Sequence, residues 1–177
     1  MRRLTYAIVV AGAVLCADTS TAIISCDPTA TDCLPPPTTT GTIDCSGATL
    51  QPGVIWPPDH KMVAVNVVGV TTSDPMYGPV QITINSIYQD EPVNALGSGN
   101  TAPDGMIVNS GSTALVRAER AGPGTGRISF LTFTATDAGG ATCTTAAPLQ
   151  AVVPHDQAQP LPLVDTGQHW DSTLVPP

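Results

Sequence analysis

The sequence predicts an all-β domain built as an antiparallel sandwich, and three observations carry that prediction. Hydrophobic residues recur at every second position in several segments, no segment shows a helical stripe, and clusters of Gly, Pro, Asn and Asp separate the alternating runs. Strand, turn, strand repeated over about 110 residues is the pattern of two packed antiparallel sheets within one domain.

Each strand has its own signature. In "KMVAVNVVGV" the side chains of Val63, Val65 and Val67 share one face, and Gly69 ends the alternation. In "PVQITINSIY" Val80, Ile82 and Ile84 alternate with Gln81, Thr83 and Asn85, as expected of a sheet with one wet face. "TALVRAER" carries a short strand from Thr113, and "RISFLTFTATD" a longer one from Arg127 in which Leu131, Phe133 and Ala135 point inward. The last strand lies in "ATCTTAAPLQAVV"; Pro148 cannot donate to a ladder, so it must sit at an edge or a bulge. The separators "SDPMYGP", "GSGNTAPDG", "NSGS", "AGPGTG" and "DAGG" are dense in turn formers.

The flanks read differently. Arg2 and Arg3 precede an apolar run from Ala7 to Leu15, the charged and hydrophobic regions of a secretory signal over residues 1–22, with cleavage expected after Ala22 of "STA". That run is too short to span a bilayer, so the chain is not expected to be membrane-spanning. Bulky Leu15 immediately before Cys16 argues against lipid attachment there. Residues 23–44 are rich in Thr, Pro and Asp and too poor in large apolar side chains to offset chain entropy, which makes them a leader or spacer with "PPPTTT" as extended polyproline-like chain. The folded domain is expected at 45–157, and residues 158–177 read as a mobile proline-rich tail.

Export also interprets the cysteines. Cleavage leaves Cys26, Cys33, Cys45 and Cys143, an even set that implies two disulfides among three possible pairings, while the long, irregular spacings do not suit zinc. Cys26 and Cys33 are expected to close a small loop, and a bridge from Cys45 to Cys143 would staple the two ends of the domain. The net charge of −8 disfavours binding to a phosphate backbone, so nucleic acid is not an expected partner; it suits solubility or divalent cations.

Five motifs occur in order: "IWPPDHKMVAV", "DEPVNALGSGNTAPDG", "RAERAGPGTG", "TATDAGG" and "VPHD". Over residues 45–157 the chain resembles a module of secreted bacterial proteins, with WPPNHKMV, DEPVNG, RAERSG, TATDASGN and VPHD, that is grouped with immunoglobulin-like or cadherin-like sandwiches. The chain departs from that pattern at Pro148 and in "GSGNT", where an acidic loop is common. The cadherin-like resemblance implies calcium ligands at Glu119 and Asp137, with Asp90, Glu91, Asn94 and Asp104 as further oxygen donors, since calcium takes six to eight oxygens. The competing reading pairs Glu119, Asp90 and Glu91 with Arg117, Arg120 and Arg127 as surface ion pairs.

The opening motif reads as architecture. Pro57 and Pro58 force an extended entry into the strand starting near Lys61, and Trp56 sets an apolar plate at the end of the domain. His60 and His155 are better explained as surface or hydrogen-bonded histidines than as a metal pair. No GxSxG, HExxH or Cys-His nucleophile arrangement is present, and Trp56, Tyr77, Tyr88, Phe130 and Phe133 are too few aromatics for a glycosidase cleft, so no enzyme and no cofactor are expected. The expected role is structural, adhesive or interactive at the cell surface or outside the cell, with an extracellular protein or a glycan as partner. The alternative is a module binding calcium or carbohydrate, the latter on Trp56, Tyr77 or Tyr88.

Overall fold

The computed structural model describes residues 14–17, 23–26, 41–73, 78–94, 96–99 and 101–175. It divides into two units, 1–39 and 40–177. Of the first, the description covers an antiparallel pair, β1 (Val14–Ala17) and β2 (Ile23–Cys26), with Val14 opposite Cys26. The expected cleavage site and the Cys26–Cys33 bridge lie outside the described residues.

The second unit is all-β and antiparallel. One sheet runs β4 (Thr49–Gln51), β5 (Met62–Val68), β9 (Thr113–Arg117) and β8 (Gly105–Val108). The other is centred on β10 (Arg127–Thr136), which pairs along one edge with β7 (Gln81–Gln89). Along its other edge β10 meets first β12 (Leu149–Val153) and then β11 (Thr142–Cys143). Pro148 falls in the gap between those two short strands, where a missing donor leaves no ladder bond unmade. A small pair, β3 (Ile43–Asp44) with β6 (Thr71–Thr72), completes the domain near its disulfide.

The two larger sheets share one apolar core. Leu50, Val65, Val67, Ala114 and Val116 from the first sheet cluster with Ile84, Ile87, Leu131, Phe133 and Ala135 from the second. The predicted inward positions of β10 are fully buried, and Val65 and Val67 follow the predicted face of β5. Each large apolar side chain removed from water contributes about 1.5–3 kcal/mol. Cys45 and Cys143 are bridged across 98 residues, a loop length that in the chain-entropy model destabilises the unfolded chain by about 4–5 kcal/mol.

Strand β7 departs from simple alternation. Ser86 pairs with Thr132 but Ile84 with Phe133, so Asn85 is an extra residue and the ladder is bulged there. Before the bulge Ile82 and Ile84 face the core; after it the phase switches to Ile87 and Gln89, and Tyr88 is turned outward. The switch aims a polar side chain, Gln89, into the end of the core.

The expected mobile tail is instead laid on the domain. Leu163 joins Ile128, Phe130 and Val152 in a second apolar cluster on the outer face of β10. The His169 ring lies 4.3 Å from that of Phe130, and the Thr166 hydroxyl donates to the Asp90 carbonyl. Strand β13 (Trp170–Asp171) then pairs with the free edge of β7 at Gln89 and Tyr88. Ser172 ties the two sheets: its amide donates to the Ile87 carbonyl, and its carbonyl accepts from the amides of Asp104 and Gly105. Gly105 makes this approach possible, because a Cβ there would lie 2.9 Å from the Ser172 Cβ. Low hydropathy and proline content concealed this packing, because two strand residues and one leucine suffice to anchor the segment.

Candidate functional site

Odd-numbered residues of β10 face the core, and that stripe begins with Arg127, which is only 1% exposed. Around its guanidinium stand three carboxylates from three loops. Nε lies 3.0 Å from Glu91 Oε2, Nη1 lies 2.8 Å from Asp104 Oδ2, and Nη2 lies 3.5 Å from Glu119 Oε1. All three acids are themselves buried.

Neighbouring groups complete the array. The Gln89 amide donates to Asp104 Oδ2 at 2.8 Å and to the Glu91 carbonyl at 2.9 Å. The Ala121 amide donates to Glu91 Oε2 at 2.7 Å. Glu119 Oε2 takes the Thr101 hydroxyl and stands 3.1 Å from His60 Nδ1. Arg117 approaches Asp104 Oδ1 at 3.5 Å while donating to the carbonyls of Pro103 and His60. Burial raises the Asp104 carboxyl above its ordinary value, an effect opposed by Arg127, by the Gln89 amide and by Arg117, and reinforced by Glu119.

Of the six residues considered as calcium ligands, the fold brings Glu91, Asp104 and Glu119 together, and a guanidinium occupies the point on which they converge. Asp90 is directed elsewhere: its Oδ1 accepts the Ile128 amide at 2.8 Å, and burial raises its carboxyl. Asn94 adopts a left-handed backbone with φ of 64° in the 91–94 turn, and its Oδ1 is buried without a hydrogen bond. Asp137 follows the far end of β10, roughly 30 Å from Arg127 at about 3.3 Å per strand residue, where its Oδ1 accepts the Ala141 amide and closes a turn. The six therefore do not form one ligand set. Among the described residues no group of three or more His, Cys, Asp or Glu is arranged to hold a metal ion.

The ion-pair reading needs correction as well. Arg127 does pair with Glu91 and Glu119, but the cluster is buried rather than on the surface, and Asp104 is its closest acid. Arg120 donates to the carbonyls of Ala121 and His155. His60 belongs to the array through Glu119, whereas His155 lies 3.6 Å from Asp156. The signal for Arg127 lay in the period of β10, because extending the Leu131, Phe133, Ala135 stripe backwards reaches it. Gln89 carried no such signal, because its inward aim depends on the Asn85 bulge.

At the Trp56 end, segment 154–161 packs beside the β4–β5 connection. The Ile55 amide donates to the Val152 carbonyl, and the Val152 amide to that of Gly53. Trp56 remains 40% exposed over an open cleft, while Tyr88 stands on the outer face of β7 and Tyr77 lies outside the described residues. No family model matches the chain, and neither a curated protein nor a solved structure does.

Proposed function

We propose that this chain is a secreted, non-catalytic extracellular module of the immunoglobulin-like or cadherin-like sandwich type, with a structural, adhesive or cell-surface interaction role. One observation carries the reading: Arg127 binds the 91, 104 and 119 loops to one buried cation. Acids held this way serve as fixed ties between loops. A fixed loop end is what a presenting or spacing module needs, since preorganised loops lose less entropy when a partner is bound. The Cys45–Cys143 bridge supports an oxidising compartment. A calcium role would set a second cation against Arg127 at the same three carboxylates.

The test is to immobilise the oxidised full chain and challenge it with extracellular and envelope fractions of the cells that make it. Retention of a defined protein or glycan by the folded chain, lost when the chain is heat-unfolded, is the expected result. Turnover of peptide, ester or glycoside substrates by the purified chain would contradict the reading.

A further inference from the structure

The end of the domain away from the Cys45–Cys143 bridge carries a feature that the buried cluster does not use. Trp56, Val54 and Leu161, each between 40% and 50% exposed, border a cleft of about 320 Å³ whose wall also includes Gln157 and Gln159. A second hollow of about 350 Å³ shares Gln159 and holds His155 and Asp156. The dividing wall is fixed, because Gln159 accepts the His155 amide through Oε1 and donates to the Thr125 carbonyl through Nε2. Gln157 is exposed, and its side-chain amide makes no hydrogen bond among the described residues.

We infer that these two hollows form a binding site for a neutral oligosaccharide, with one sugar ring on the face of Trp56 beside the Gln157 amide and the next ring against His155 and Asp156. The surfaces match. A sugar ring presents a C–H face and a rim of hydroxyls, so it needs an apolar plate bordered by groups that both donate and accept. Side-chain amides do both, and Trp56 supplies the plate. An acyl chain or apolar peptide would cover the indole but leave the Gln157 amide desolvated without a partner. A lone anion would gain nothing from Trp56, and the net charge of −8 disfavours acidic sugars. The volume of each hollow is at the lower end of the range for ligand pockets, about 300–1,000 Å³, which suits a chain of sugars lying across both rather than one enclosed ligand.

The site goes beyond the proposed module role and does not depend on its non-catalytic nature, so the test separates the two. Full-length oxidised protein is sedimented with insoluble cellulose, chitin and α-glucan, and with pectate as the acidic control, while the supernatant is assayed for released sugars. Retention on at least one neutral polysaccharide is expected. Trp56→Ala should weaken it by roughly tenfold, the effect of losing an aromatic anchor, while Trp56→Phe keeps part of it and Gln157→Ala weakens it less. Unchanged melting temperatures of these surface variants show that folding is intact. No retention on any neutral polysaccharide, retention on pectate alone, or retention indifferent to Trp56→Ala overturns the site. A dimer dissolved by Trp56→Ala overturns it too, by giving the cleft to a second copy. Release of sugars from a retained polysaccharide would leave the site standing and sink the non-catalytic reading.

Discussion

Arg127 and Gln89 reach the same carboxylate oxygen: Asp104 Oδ2 lies 2.8 Å from the arginine Nη1 and 2.8 Å from the glutamine Nε2. Two neighbouring strands thus converge on one buried acid. The convergence needs both the regular alternation of β10 and the single extra residue, Asn85, in β7.

Removing either donor should leave buried acceptors unpaired. Arg127→Met is expected to destabilise the domain by about 3–5 kcal/mol, because three buried carboxylates lose their shared cation. Gln89→Leu should cost about 1–3 kcal/mol, the penalty of unsatisfied buried acceptors. The double variant should cost more than the sum, since each donor alone still bonds Asp104 Oδ2 and only their joint loss leaves that oxygen with neither. Urea unfolding of the four proteins measures all three quantities, and full additivity would dissociate the two donors.

Asp90 predicts a pH dependence. Burial raises its carboxyl above 3.8, so the folded chain holds that proton at pH values where the unfolded chain has released it. The associated stabilisation is complete below 3.8 and is lost as pH rises through the folded value. Asp90→Asn keeps an oxygen to accept the Ile128 amide and removes the titration. It should therefore melt at or above wild type at pH 7, with the difference shrinking as pH approaches 4. A variant less stable than wild type at neutral pH and more stable in acid would reverse the sign.

The tail predicts a steric effect. A side chain at position 105 would meet Ser172 Cβ at 2.9 Å and Ile87 Cγ2 at 3.1 Å. Gly105→Val should therefore loosen β13 and expose the 154–165 connector to proteases, with wild type cleaved more slowly under the same conditions. Limited proteolysis read by mass spectrometry checks this, and equal cleavage rates would show that the tail is not held through Ser172.

Much of this architecture was legible and some was not, for physical reasons. The period of two located the long strands because Val65, Leu131 and Phe133 each lose a large apolar surface to the core. The short strand β8 carried no alternation, as its Met106 and Ile107 are both exposed. The acids of the cluster were recognised as a group, yet their shared partner depends on which residue ends an inward stripe, and the Asn85 bulge changes that phase without any Gly or Pro to mark it. Motif resemblance groups Asp137 with them, whereas the length of β10 separates it from Arg127. The docking of the tail is not legible because composition reports mean hydropathy, while docking depends on a few contacts such as Leu163 against Phe130.

The central claim is that a guanidinium, rather than a metal ion, neutralises the acids at positions 91, 104 and 119. Thermal unfolding of the wild-type chain in millimolar calcium and in chelator tests it most directly, since an ion bound only by the folded state raises the melting temperature by mass action. Superimposable transitions are predicted; a melting temperature that climbs with calcium concentration would contradict the account.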